Sequence, residues 1–196
     1  IVAGQVAPRL AALLYHDATI VLTAALAAVA HITAGTKAHQ KVVIDCVGWG
    51  GLRWLLAHRK ARVKMDTCTV ISRIVAGANA QVQSAIECGI VMDLVGMILG
   101  KGTQQTTTAA AARVLICVVT NATDEQIVRH FVRGGQPKVG HLCFAMLSVR
   151  CAESDVAGLR KALAAVSRLL KSTAKQRCKD SGAKATIPIG HLATRT

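Results

Sequence analysis

His31-Ile-Thr-Ala-Gly35 is followed by Gln40, Val43-Ile44-Asp45-Cys46, Leu52 and Leu55-Leu56. Arg73-Ile-Val-Ala-Gly77 is followed by Val82, Ala85-Ile86-Glu87-Cys88, Leu94 and Met97-Ile98. Each position of the second series lies 42 residues after its counterpart in the first. A period in this range marks a solenoid, whose units bury their apolar faces on one another.

The pattern extends both ways. Leu10, Leu13 and Leu14 stand 42 residues before Leu52, Leu55 and Leu56, and Phe131, Val139, Leu142 and Cys143 stand 45 after Ile86, Leu94, Met97 and Ile98. Pro8 and Pro137 each precede such a leucine by five residues, a spacing that suits the first turn of a helix. About four units are expected, the first without its opening helix. Apolar residues make up 52% of the 196 and aromatics only 3%, so small side chains fill most of the core and let helices approach closely. No stretch alternates like a strand with hairpin turns, and the fold class is all-α.

Each unit divides into a short helix and two longer antiparallel ones. In the second unit Ala38 to Cys46 forms the short helix, ended by Gly48 and Gly50-Gly51, and Leu52, Leu55 and Leu56 form one face of the next. Arg59 to Arg62 is the exposed link, and a third helix from about Val63 to Ala76 turns Met65, Cys68 and Ile71 inward. Gly77, like Gly35 before it, fits a C-terminal cap. The third helix of the third unit is expected from about Thr106 to Val119. From about Lys171 the pattern fades into Ser, Thr, Lys and Gly, giving a repeat domain over residues 1–174 and a basic tail over 175–196.

Ile32-Thr-Ala-Gly35, Gln40 with Val43-Ile44-Asp45, and Ile71-Ser-x-Ile-x-Ala-Gly-x-x-Ala-Gln-Val-Gln-x-x-Ile-Glu87 resemble armadillo repeats, most closely those of importin-α. Thr120-Asn-Ala-Thr123 with Glu125-Gln-Ile127 is similar to its penultimate repeats. The resemblance covers about residues 1–171 and implies a right-handed superhelix whose third helices line a concave groove. In that family Trp and Asn, spaced W-x-x-x-N, hold a lysine-rich nuclear localisation peptide, and acidic residues take its charge. Here the Asn positions map to His31, Arg73, Cys117 and Arg168, and the Trp positions to Ala27, Thr69, Arg113 and Ala164. With the third unit slid by four residues, Asn121 becomes the array Asn and Cys117 takes the Trp place. Trp49 and Trp54 fall near the start of a second helix, outside the groove. A groove carrying Arg73, Arg113 and Arg168 is expected to repel a lysine-rich peptide.

Charge points the same way. The chain has 24 Lys+Arg against 10 Asp+Glu, net +14. Residues 156–196 hold nine basic side chains against Asp180, a balance of +8. Two clusters are candidate contacts for RNA or another anionic partner: Arg59, Lys60, Arg62 and Lys64 on an inter-helix link, and Lys171, Lys175, Arg177, Lys179 and Lys184 after the last helix. Few aromatics are available to stack bases, so base reading along a single strand is not expected.

Chemistry is poorly served. Seven cysteines form no C-x-x-C pair and several fall at apolar repeat positions, so they pack a core and imply a reducing compartment: mitochondrion, cytoplasm or nucleus. His141 and Cys143 are an exposed and a buried helix residue rather than metal ligands. Gly100-Lys-Gly-Thr103 lacks the spacing of a phosphate loop and is a helix link. Neither G-x-S-x-G nor H-E-x-x-H occurs. The most apolar run, Ala18 to Ala30, is too short to span a bilayer, which takes about 20 residues. Ile1 opens the chain inside a repeat, so any targeting segment is expected to have been removed or to lie outside it. No catalytic residue, metal, cofactor, small-molecule substrate or membrane is expected. The functional expectation is a non-catalytic scaffold subunit of a larger assembly, a ribonucleoprotein such as a mitochondrial ribosome, binding protein neighbours and RNA. The alternative is an importin-α-like adaptor that binds nuclear localisation signals.

Overall fold

The computed structural model describes residues 2–100, 103–133, 140, 141, 143, 145 and 156–180. Every regular element among them is helical. In order these are α1 (Val2–Leu13), α2 (Thr19–Thr33), α3 (Lys37–Leu56), α4 (Ala61–Val75), α5 (Asn79–Glu87), α6 (Ile90–Leu99), α7 (Gln105–Asn121), α8 (Asp124–Gln126), which passes directly into a π-helix at Ile127–Arg133, and α9 (Val156–Asp180). The first unit is α1 and α2, the second α3 and α4, and the third α5, α6 and α7. The fourth comprises α8 with its π-helical continuation, the helical residues 140–145 that are described, and α9. Four units with a truncated first one match the spacing.

Gly48 and Gly89 make the fold from the repeat. Gly48 has φ +68° inside α3, and Gly89 has φ +87° between α5 and α6; no other described residue has a positive φ. Each turns the short first helix of its unit into the second, and α5 and α6 meet at 67°. A side chain at Gly48 would meet nothing within 4 Å, so the backbone conformation, and not space, is what requires glycine there. Gly48→Ala is therefore expected to lower stability by about 1–3 kcal/mol in urea unfolding. Gly50 is helical with equally open surroundings, and Gly50→Ala is expected to raise stability by up to about 1 kcal/mol. Equal losses at both would refute the conformational account.

Leu52, Leu55 and Leu56 from α3, Val63, Ile71 and Ile74 from α4, Ile90 and Leu94 from α6, and Leu115 from α7 are all fully buried in one continuous core. Ala110, Ala111 and Ala112 are buried along α7, which packs against α4, α6 and α9. Methyl side chains allow that close approach.

The structure corrects several sequence expectations. Pro8 lies inside α1 rather than in its first turn, and Pro137 lies outside the described residues. Leu13 is 39% exposed, because in α1 it turns away from the face that carries Leu14. Gly77 follows α4 as expected, but with a negative φ. The helix ends instead on a tight bond from Gly77 N to Ile74 O, 3.0 Å long. Glycine leaves room there for the Gln40 carboxamide of the same unit, which an added Cβ would displace. Met65 is only half-buried. The region expected to fade into a tail continues helically: α9 runs to Asp180, past the 174/175 boundary. Ser172 and Gln176 on its inner face are buried, so the helix keeps a packed side where the sequence loses its leucines.

Candidate functional site

The third helices α2, α4, α7 and α9 stack side by side. They carry Ala27 and His31 (α2), Thr69 and Arg73 (α4), Arg113, Cys117 and Asn121 (α7), and Ala164 and Arg168 (α9). Within each helix these residues are four apart, so they share a face. Ala27, His31, Thr69, Arg113 and Ala164 are exposed, whereas Arg73, Cys117, Asn121 and Arg168 are half-buried.

The half-buried positions reach back to the preceding unit. Arg73 Nη1 donates to Ala30 O. Cys117 Sγ donates to Ser72 O at 3.5 Å. Arg168 Nη1 donates to Val119 O (3.0 Å) and Thr120 O (2.8 Å), while its Nε and Nη2 donate to Asp124 Oδ1 at 3.3 and 3.0 Å. The acceptors Ala30, Ser72 and Thr120 each sit one residue before His31, Arg73 and Asn121. The register therefore advances by one turn within α7: Cys117 faces back to α4, while the Asn121 turn receives Arg168. Asn121 Nδ2 is itself spent on Cys117 O at 2.8 Å. Arg73, Cys117 and Arg168 staple adjacent third helices together, so Arg73 and Arg168 are not hanging free above the face.

Beyond Arg168 the row continues along α9. Lys161, Ala164, Arg168, Lys171, Lys175 and Lys179 follow one another at intervals of three or four, on one side of the helix. All but Arg168 are exposed. A cleft of about 500 Å³ opens there, lined by Ala164, Ser167, Arg168, Lys171, Ser172 and Lys175, with Asp124 as its carboxylate. Arg177 lies two residues past Lys175 and leaves the row, and Lys184 is outside the described residues. In the other basic cluster only Arg59 and Lys60 are on the link, because α4 begins at Ala61. Arg62 and Lys64 belong to its first turn, and Arg62 Nε pairs with Asp66 Oδ2 at 2.8 Å.

No family model matches the chain. It is 36% identical over 96 residues to importin subunit alpha-1a of Oryza sativa subsp. japonica, a match that covers 48% of this chain and 18% of that protein. The structure resembles computationally designed armadillo repeat proteins for modular peptide recognition, with TM-score 0.61, 22% identity, and coverage of 90% of this chain and 70% of the other. It also resembles a designed armadillo repeat protein in complex with the peptide (KR)4, with TM-score 0.59, 16% identity and coverage of 83% and 81%. The fold is the armadillo repeat.

On this armadillo scaffold the thiols are packing groups. Burial pushes the Cys68 thiol up to about 12. The Cys117, Cys88 and Cys143 thiols are also raised by burial, and at Cys117 the hydrogen bond from Asn121 only partly offsets this. Cys46, Cys68, Cys88, Cys117 and Cys143 are all free thiols. Among the described residues no group of three or more His, Cys, Asp or Glu is placed to hold a metal. No single described helix is long and apolar enough to cross a membrane. The bent pair α5 and α6 passes that test jointly, but Val82, Ile86, Ile90 and Leu94 of it are packed into the core.

Two features escaped the sequence. Lys161 extends the basic row, which its spacing of seven from Arg168 would have indicated. Arg53 bridges the second and third units, with Nε on Asp93 Oδ2 at 2.5 Å and Nη1 on Cys88 O at 2.8 Å. Their separation of 40 residues, close to one repeat, was the available signal.

Proposed function

We propose that the chain is a non-catalytic armadillo scaffold that holds an extended, acidic segment of a protein partner along its third-helix face, as a subunit of a larger assembly. One observation carries this reading: the cationic row of Lys161, Arg168, Lys171, Lys175 and Lys179 on that face has, among the described residues, Asp124 as the only carboxylate lining its cleft, and Asp124 is already paired with Arg168. Arg113, exposed on the neighbouring α7, adds to the same potential. A designed relative of this fold takes the cationic peptide (KR)4; a face with cations in excess selects the opposite charge. The nuclear-import alternative is disfavoured for the same reason. It also lacks aromatic walls, since the Trp positions hold Ala27, Thr69, Arg113 and Ala164, and the amide donor of Asn121 is already spent.

RNA is the second reading. Lys171, Lys175 and Lys179 are exposed and spaced about 6 Å apart along the helix axis, a flexible row able to follow a phosphate backbone without reading bases. A ribonucleoprotein such as a mitochondrial ribosome would supply both kinds of partner.

Anisotropy titrations with a labelled Glu-rich peptide and a labelled Lys-rich peptide test the first reading. The Glu-rich peptide is expected to bind in the micromolar range at low salt, and the Lys-rich one to remain weaker than about 100 µM, or about −5.5 kcal/mol. Tighter binding of the Lys-rich peptide would overturn this reading and restore the import adaptor.

A further inference from the structure

A second cleft lies away from the third-helix face, between the second half of α3 and α6. Its volume is about 670 Å³. Trp54 and Met92 form its walls and are 47% and 42% exposed, and Met97 lines it between them. Gly50 and Gly96 leave bare backbone in the lining, where an added Cβ would meet nothing within 4 Å. The Trp54 ring is positioned without any ligand: Tyr15 packs on it with centroids 5.1 Å apart, and His58 meets its edge at 6.3 Å. A preset aromatic wall saves the ordering cost that binding otherwise carries. The cleft joins two internal units, each packed on both sides, so its exposed apolar surface is not a stacking face of the solenoid.

Its electrostatics are one-sided. Among the described residues Asp93 is the only carboxylate in the lining, and it is held by Arg53 at 2.5 Å. Lys64 also lines the cleft, and Arg59 and Lys60 stand exposed on the adjoining link with no ion pair among the described residues; Arg62 is the member of that cluster that is neutralised, by Asp66. The lining thus combines an apolar slot with an unbalanced cationic rim.

We propose that this cleft is a second docking site, for a protein segment in which one large apolar side chain is flanked by carboxylates. The apolar side chain enters between Trp54 and Met92, and the carboxylates face Lys60 and Lys64. An anchor residue in a desolvated slot with charges at its rim is a common arrangement in protein interfaces. A nucleic acid fits less well. Among the described lining residues Trp54 is the only aromatic wall, and Tyr15 already packs against it.

The test uses the full chain and a synthetic peptide with one Leu between two runs of Glu, alongside the same peptide with Ala for Leu, and oligo(U). The Leu peptide is expected to change Trp emission saturably, and the change should vanish in Trp54→Phe, which keeps the ring packing and leaves Trp49 as the remaining fluorophore. Lys60→Glu/Lys64→Glu is expected to weaken binding at least tenfold with helix content unchanged, since neither residue is in the core. Lys171→Ala/Lys175→Ala is expected to leave this signal intact. Equal binding of the Ala peptide, or an equal response to oligo(U), would overturn the proposal. So would a loss of signal in Lys171→Ala/Lys175→Ala, which would assign the peptide to the third-helix face and leave that reading standing.

Discussion

Leu115→Ala is expected to destabilise the protein by about 3–4 kcal/mol, the largest single-residue loss argued from its packing. Leu115 is fully buried in the middle of α7, the helix that packs on α4, α6 and α9 together. Its helix neighbours Ala111 and Ala112 are already as small as a side chain can be and still pack, so little can collapse into the space left behind. In a solenoid each unit is stabilised only by its neighbours, and α9 reaches the rest of the described molecule chiefly through α7 and the π-helix. The fourth unit should therefore be lost first. Both tryptophans are in the second unit, so in the variant the far-ultraviolet circular dichroism transition in urea should precede the fluorescence transition. Leu163→Ala is the control: at 52% exposure it is expected to stay within about 0.5 kcal/mol of the parent. A loss below about 1 kcal/mol for Leu115→Ala would mean that the site repacks and that α7 is not the central support.

The architecture was legible because a 42-residue repeat places equivalent core positions without any need to see contacts. Leu52, Leu55 and Leu56 match Leu94, Met97 and Ile98, and Gly48 falls at the expected end of the short helix; Gly89, which bends the third unit, lies 41 residues later, one off the register, and was not singled out. What stayed hidden were effects set by other elements, in the same unit or the next. Gly77 looks like a left-handed cap in sequence, yet the reason for it is the Gln40 carboxamide 37 residues earlier. α9 seemed to dissolve at Lys171 because its later inward positions are Ser172 and Gln176, polar residues that packing nevertheless buries. On the third-helix face the positions were locatable, but their behaviour was not. Arg73 and Arg168 had been expected to project into a groove, and only the structure shows their guanidinium groups hydrogen-bonded to backbone carbonyls one unit earlier. The cleft beside Trp54 was invisible for a related reason: its two walls come from α3 and α6, and the lysine at its rim from α4.

Replacing Lys171, Lys175 and Lys179 together by Ala is expected to weaken binding of a polyanion by at least tenfold at low salt, and to flatten its salt dependence. With single-stranded RNA as the probe, each phosphate neutralised contributes about 0.7 to the slope of log K against log salt, so losing three contacts should reduce that slope by about 2. The helix itself should survive: all three lysines are exposed, none forms an ion pair among the described residues, and Ala is the better helix former. Arg59→Ala/Lys60→Ala removes two comparable charges from the link between α3 and α4, in the second unit, and separates local contact from net charge. If the polyanion is held on α9, this pair should change the slope little. If both variants lower it in proportion to the charge removed, attraction is diffuse and the row on α9 is no site. A slope near zero in the parent protein would remove the electrostatic basis of both readings. The third-helix face would then be left to bind partners by shape and hydrogen bonding alone.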